Sequence, residues 1–402
     1  MASTDSAAQS PRKTGRVPAG RRALWRRPWA RGLVWQALLV GLFVWLIAFL
    51  LGNVNENLPR SGLTVGFDFV DSPTRFEIGP NYLGATARDP VWYTFLVGAF
   101  NTLRVSLMGI LICTVLGLAI ALARLSDNWL LSRMAFLWVE TVRNIPLLLQ
   151  MLFWYGLSTL LPLPKQAWEP IADVFFTNRG IYHPALVLQP AHWWVIGALM
   201  VAILAALFIL RAGRRYRERS GQSLPTGWIA LALLLLLPTL AWIFSGAGTE
   251  VHYPALRGFN FRGGGLITPE FVAVVIALSV YQSGFAAETF RSGIVGVKKG
   301  QWEAARSLGL PTRVIYGTVV LPQALRIVVP PLTSQYLSLT KNSSLAVVIG
   351  YPELVRVSTA VTAETGRAIE CIAIMMSVYL TLSLLTSAFM NWYNKRIAFV
   401  ES

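Results

Sequence analysis

The sequence predicts an all-α polytopic membrane protein, and three observations carry that expectation. Of its 402 residues, 54% are hydrophobic and only 13% are charged, against roughly 25% charged in soluble chains. Several apolar runs exceed the ~18 residues that mark a membrane span. The excess of Lys and Arg, which makes the net charge +16, gathers in the links between alternate runs.

The elements follow in order. Residues 1–32 form a basic tail whose Trp25 and Trp29 suit a membrane interface. The run from Leu33 to Leu51 is too long for the 7–15-residue apolar core of a signal peptide and lacks its small-residue ending. It reads as a retained first transmembrane helix over residues 33–52. Residues 53–91, rich in Gly, Pro, Asn and Asp, read as a structured periplasmic loop. Further runs at about 98–123, 144–161, 192–210, 228–245, 267–288, 321–340 and 370–392 bring the expectation to about eight transmembrane helices. The seventh contains Pro322, Arg326, Pro330, Pro331 and Gln335, so it must be kinked and packed against protein. Residues 393–402 close the chain.

An even number of spans puts both termini on one side, and the positive-inside rule says which. The tail, the links after spans two, four and six, and the C-terminus hold 23 Lys/Arg; the opposite links hold nine. Both termini are therefore expected in the cytoplasm. The same split accounts for the basic charge without nucleic acid as a partner. Cys113 and Cys371 are isolated inside apolar runs, and His183, His192 and His252 are scattered. Neither set offers a disulfide framework or a metal site.

The informative link follows span six, at about 295–315. It contains Glu303-Ala304-Ala305 and Gly309, and Val319-Val320-Leu321-Pro322 comes nine residues further on. Residues 302–309 can form a short helix on the inner membrane face. Small Ala304 and Ala305 allow close backbone approach, and Gly309 followed by Pro311 ends the helix. Glu303 is the one acid among the five cations from Arg291 to Arg313 and can cap the helix or meet a basic partner. A short capped helix protruding into the cytoplasm suits docking into a groove on another protein.

The spacing E-A-A-x3-G-x9-V-x-L-P resembles the cytoplasmic EAA loop of ABC-importer permeases, in the polar amino-acid (HisMQ-like, MetI-like fold) branch. Ala287-Glu288-Thr289-Phe290-Arg291 upstream and Lys341-Asn342-Ser343-Ser344-Leu345 downstream extend the match. Val319 stands where Ile is usual, and Ser343 where Thr is usual, which keeps the hydroxyl. Glu140–Gln150, with Pro146 suited to a first helical turn, and Asn101-Thr102-Leu103 resemble the entries to two core helices. The resemblance covers residues 94–392 and is interrupted by 162–266, an inserted helix pair with two external loops. That layout is similar to the permease subunit of general L-amino-acid ABC transporters.

The resemblance implies a type I ABC importer core with an added N-terminal helix and an inserted helix pair. It implies a non-catalytic permease subunit of an ATP-driven L-amino-acid importer in a bacterial inner membrane. The implied partners are a second permease subunit, a dimer of ATP-binding subunits and a periplasmic amino-acid-binding protein. ATP and Mg would sit on the ATPase partner, for the chain contains no G-x-x-x-x-G-K-[ST] phosphate loop. Coupling to that ATPase is expected at Glu303, Ala304, Ala305 and Gly309. Polar groups at membrane depth are costly and commonly functional. Asn101, Arg104, Lys341, Asn342 and Ser343 are accordingly candidates for the substrate pathway, and Glu288 and Arg291, one turn apart, for a structural ion pair. The alternative, an ion-coupled secondary amino-acid transporter, needs acidic groups deep in the spans, which hold almost none. An intramembrane enzyme needs a nucleophile–base or metal set at depth, and the sequence offers none.

Overall fold

The computed structural model describes residues 28–60, 66–79, 83–187, 189–222 and 224–397. Most of the basic tail expected at 1–32, and residues 398–402 of the C-terminus, lie outside the described residues. Helix α1 (Pro28–Arg60) belongs to a unit of its own that ends at Gly66. Its apolar stretch is Gly32–Leu50. At 1.5 Å per residue the 33 residues rise about 50 Å, more than the ~30 Å hydrocarbon core needs. The helix runs on through residues 53–60, where the sequence reading starts a loop.

The second unit, residues 67–402, is organised around α2 (Val91–Arg124) and α7 (Pro269–Val295). These two long helices run side by side in the same direction. Arg104 of α2 lies over the ring of Phe271 at the start of α7, and Arg124 at the end of α2 bonds Glu288 towards the end of α7. Gly117 makes the close approach possible. A Cβ there would come within 2.6 Å of the Ala286 Cβ and 3.1 Å of the Ala287 nitrogen. Helix α7 is started by Thr268, whose hydroxyl accepts the Phe271 N–H at 3.3 Å, with Pro269 in the first turn.

The third span departs from expectation. The apolar run at 144–161 forms only α4 (Leu147–Thr159), whose 13 residues rise about 20 Å and fall short of a crossing. The crossing is completed by the preceding α3 (Trp129–Asn144), so the structure has seven helices long and apolar enough to span, plus this broken one, among the described residues. At one end the Ser132 hydroxyl donates to the Arg124 carbonyl at 3.0 Å; at the other the Tyr155 hydroxyl donates to Glu270 at 3.5 Å. Pro146 breaks the helix, and Gln150 repairs the break by donating to the Val142 and Ile145 carbonyls at 2.9 and 3.0 Å.

Between α7 and the next long helix stands α8 (Lys299–Ser307). The chain then re-enters through α9 (Thr312–Val314), a six-residue π turn (Ile315–Val320), α10 (Leu321–Asn342) and a 3-10 turn (Ser343–Ile349). Pro330 and Pro331 lie within α10. Gln335 in the same helix donates to the Phe285 carbonyl at 3.3 Å and the Thr289 hydroxyl at 2.7 Å. Helices α11 (Leu354–Thr365) and α12 (Ala368–Ile397) complete the unit. The carboxylate of Glu353, fully buried, caps α11 by accepting the Val355 and Arg356 N–H groups at 2.7 Å each, and Tyr379 of α12 donates to it at 3.1 Å. The main core joins Val105, Met151, Val274, Leu278, Val328 and Leu339 from four helices, α2, α4, α7 and α10.

The insertion is a helical hairpin, α5 (His192–Ser220) and α6 (Thr226–Ser245), which pack on each other and leave large apolar side chains such as Trp194, Phe208 and Phe244 exposed. Its flanking loops are not irregular. They contain β1 (Trp168–Ile171), β2 (Val174–Thr177), β3 (Gly180–His183), β4 (Ala185–Leu186), β5 (Val251–His252), β6 (Ala255–Arg257), β7 (Asn260–Arg262) and β8 (Gly265–Ile267). One antiparallel sheet has the order β1-β2-β3-β8, and β4 pairs with β5. Strands from before and after the hairpin therefore hydrogen-bond to each other, Tyr182 opposite Leu266 and Leu186 opposite Val251. These short strands leave the class all-α.

Candidate functional site

Two features at opposite ends of α7 gather the candidate residues. The first is α8. It is held against its own chain by Ala305, which is buried with Val297, Ile315, Val320 and Ala324, and by Trp302, whose ring meets Tyr316 edge-on at 5.0 Å. The helix ends in a Schellman motif. Gly309 has φ +67° and its N–H donates to the Arg306 carbonyl at 2.9 Å, while the Leu310 N–H donates to the Ala305 carbonyl at 3.3 Å. Glu303, Ala304 and Gly309 are exposed, and Leu308 is 77% exposed. Glu303, Ala304 and Leu308 thus lie on the surface open to a partner, as do Gly300 and Ser307. Ala305 is not on it: the turn of the helix that exposes Ala304 points the next residue at the π turn, and the contact expected of Ala305 is instead a contact with its own core.

Just above α8, Glu288 and Arg291 pair as the i,i+3 spacing suggests, Arg291 Nη2 to Glu288 Oε1 at 2.5 Å. Arg124 of α2 bonds the other carboxylate oxygen, a partner the sequence could not reveal across so long a separation. The bridge fastens the end of α2 to the end of α7, from which α8 departs.

The second feature is a cavity of about 160 Å³ at the end of the unit that carries the sheet. Asn101 and Arg104 of α2, Thr268, Glu270 and Phe271 of α7, and the turn Gly350–Pro352 contribute to its wall. Asn101 is buried and structural: its Nδ2 donates to the Pro352 carbonyl at 2.9 Å. Arg104 is half-buried, its guanidinium 4.0 Å from the centre of the Phe271 ring. Lys341, Asn342 and Ser343 do not line this cavity. Lys341 is exposed, Asn342 half-buried, and Ser343 is buried with its hydroxyl donating to the Thr340 carbonyl at 2.7 Å. Ser343 is therefore turned into the packed interior, at the start of the 3-10 turn, and away from this cavity. Sequence reading missed Glu270, Glu353 and Leu308. Glu270 follows a Thr-Pro helix start, a signal that was available.

The long apolar helices, with the capped and partly exposed α8 set between two of them, fit the membrane-spanning transport subunit that the sequence resemblance implies. Residues 219–399 match the family model described as "Binding-protein-dependent transport system inner membrane component". Over 93% of its length the chain is 46% identical to the "Putative amino-acid ABC transporter permease protein YhdX" of Escherichia coli (strain K12), covering 96% of that protein. It is 41% identical over 93% of its length to the "General L-amino acid transport system permease protein AapQ" of Rhizobium johnstonii, covering 94% of it. It is 36% identical over 92% of its length to the "Glutamate/glutamine/aspartate/asparagine transport system permease protein BztB" of Rhodobacter capsulatus, covering 94% of it. The chain belongs to the family of binding-protein-dependent transport system inner membrane components, and it is a membrane-spanning permease subunit of the amino-acid ABC branch. The secondary-transporter alternative is not favoured.

Proposed function

We propose that this chain forms part of the L-amino-acid pathway of an ATP-driven importer and passes the ATPase cycle to that pathway through α8. The observation that carries this is the geometry of α8: a Schellman-capped helix, braced from behind by Ala305 and Trp302, with Glu303, Ala304 and Leu308 facing out. A braced helix moves as a lever, where a frayed one would absorb displacement. The chain itself hydrolyses nothing; ATP and Mg belong to a dimer of ATP-binding subunits that receives α8. A second permease subunit and a periplasmic amino-acid-binding protein complete the complex in the inner membrane, with both termini of this chain in the cytoplasm. Support for the substrate class comes from the relatives, whose names specify amino acids generally or glutamate, glutamine, aspartate and asparagine. Alternating access follows if ATP binding favours one of two arrangements of the helices that α8 touches.

The test is reconstitution. The complex purified through this chain should contain an ATPase, and proteoliposomes holding it should accumulate radiolabelled L-amino acids when ATP and the binding protein are supplied. Accumulation driven by an ion gradient without ATP, or none of the twenty L-amino acids accumulated, would falsify the proposal.

A further inference from the structure

The inserted hairpin carries a charged surface that neither the coupling helix nor the cavity uses. Five arginines, Arg211, Arg214, Arg215, Arg217 and Arg219, crowd the last turns of α5, and Glu218 is the one acid between residues 192 and 249. Their placement is ordered. Leu204, Phe208, Arg211, Arg215 and Arg219 follow one another at steps of four, three, four and four residues, which keeps them on one face of the helix. All five are exposed. The buried face is the other one. Ala202, Ala206 and Gly213 are buried about 200° round the helix from Leu204, Phe208 and Arg215, and a Cβ at Gly213 would collide with the Thr226 side chain of α6. Packing on α6 thus turns the stripe away from the rest of the hairpin. None of the ion pairs among the described residues uses its arginines. The depth of the stripe follows from two tryptophans. Thr226 lies beside Gly213, so exposed Trp228, two residues further along α6, stands level with Arg211. From exposed Trp194 to Arg211 the helix rises about 26 Å, close to the ~30 Å hydrocarbon core. Tryptophan favours the membrane–water interface, so Arg211 stands at one edge of the core. Arg215 lies about 6 Å further out, inside a headgroup layer of about 5–7 Å, and the long side chain of Arg219 can reach back to it.

We propose that this stripe is a binding site for an anionic phospholipid, with an acyl chain along Leu204 and Phe208 and the headgroup phosphate held by Arg211, Arg215 and Arg219. Apolar groups running straight into cations on one face match the order of parts in a phospholipid. Guanidinium forks bond phosphate oxygens in pairs. A rule that only sets orientation asks for positive charge anywhere in the link and does not ask for a stripe. A soluble acidic protein would meet the arginines and leave Leu204 and Phe208 unused. The site rests on the reading of this chain as membrane-spanning, and not on what it transports.

The experiment uses the chain with its co-purifying subunits in phosphatidylcholine nanodiscs. The probes are phosphatidylglycerol and phosphatidylcholine carrying the same photoreactive diazirine on an acyl chain, each at the same low mole fraction. Mass spectrometry reads the labelling of residues 200–210 as the ratio of anionic to zwitterionic probe. Wild type should give a ratio of at least about ten, since each arginine at an anionic surface is worth about fivefold. Arg211→Gln, Arg215→Gln and Arg219→Gln together should bring the ratio close to one, and Arg215→Gln alone should lower it at least threefold. Arg217→Gln removes the same charge off the stripe and should lower it less than twofold. Excess soluble glycerol phosphate should leave the ratio unchanged. Co-purification of the other subunits, and labelling of Gly221→Cys only after lysis, show that a variant is assembled and correctly oriented. If the triple variant fails either control, Arg215→Gln and Arg217→Gln decide between them. A wild-type ratio close to one overturns the proposal. So does an equal loss in Arg215→Gln and Arg217→Gln, which would mean a diffuse attraction, or displacement by glycerol phosphate, which would mean a site for free phosphate. Residues 200–210 unlabelled by either probe and cross-linked to another subunit would make the stripe a protein contact and overturn it as well. A complex that shows the ratio yet accumulates no amino acid leaves this site standing and overturns the importer reading alone.

Discussion

Replacing Gly309 should uncouple transport from ATP hydrolysis, and the structure predicts in what order substitutions hurt. Gly309 has φ +67°, and a Cβ built there meets nothing within 4 Å. Within this chain the penalty for a side chain is therefore backbone strain alone. That strain is about 1–2 kcal/mol for an L-residue with a Cβ, and Asn and Asp suffer it least. A change of that size shifts the ratio of capped to frayed helix ends roughly 5- to 30-fold. The two bonds at stake are those from the Gly309 and Leu310 N–H groups to the carbonyls of Arg306 and Ala305. Gly309→Val should be the harshest change, Gly309→Ala intermediate and Gly309→Asn mildest. Gly309→Asp should fall below Asn, because its carboxylate meets the negative end of α8 at a further cost of about 0.3–1 kcal/mol. The assay is the number of ATP molecules hydrolysed per amino acid accumulated in proteoliposomes, with thermal unfolding of the detergent-solubilised complex as a control. Asn as damaging as Val, with both complexes assembled, would refute the strain argument and point to a partner side chain filling the open space.

Ala305→Leu should destabilise the α8 link by about 1–3 kcal/mol through overpacking, lowering the unfolding temperature; Ala304→Leu, at an exposed position, should leave that temperature unchanged and instead weaken co-purification of the ATPase. Gly117→Val should separate α2 from α7, since even a Cβ would lie 2.6 Å from that of Ala286; loss of the assembled complex at a temperature the parent survives checks it, and an unchanged complex would disprove the close approach. Residues 211–227 should be cytoplasmic and 246–266 external, so Phe259→Cys should be labelled by an impermeant maleimide on spheroplasts and Gly221→Cys only after lysis. Native Cys113 and Cys371 are buried and give little background.

Long apolar helices were legible from composition and run length, because each carries its own signal. The third crossing was not, since half of it is α3, whose Arg133, Glu140 and Arg143 lower its local hydropathy. What lets Arg143 sit there is tertiary: its guanidinium lies 5.0 Å from the centre of the Phe285 ring, and its stem passes over Gly284. The strands escaped notice for a related reason. None exceeds four residues, and β3 meets β8 across more than eighty residues of intervening chain. At the coupling helix the end signal, Gly then Pro, was readable locally, whereas the direction in which Ala305 points depends on Ile315 and Val320 beyond the turn. The Glu288–Arg291 pair followed from spacing; its third member, Arg124, required the packing of two helices.

The pairing of β4 with β5 has a consequence for how this chain can be edited. Leu186 faces Val251, and the Val187 N–H donates to the Glu250 carbonyl at 2.9 Å, so the two strands leading into and out of the α5–α6 hairpin are already neighbours. The hairpin hangs from a narrow neck, where the Gly248 N–H also donates to the Gln189 side chain at 3.1 Å and His192 Nε2 meets the Gly248 carbonyl at 3.1 Å. Cutting residues 188–249 and joining the neck with a two-residue Asn-Gly turn, the shortest natural closure of paired strands, leaves β3, β8 and the start of α7 with the same neighbours. The inserted pair is in that sense a cassette: the chain can gain, lose or exchange it at a single seam, independently of the helices that carry the cavity and the lever.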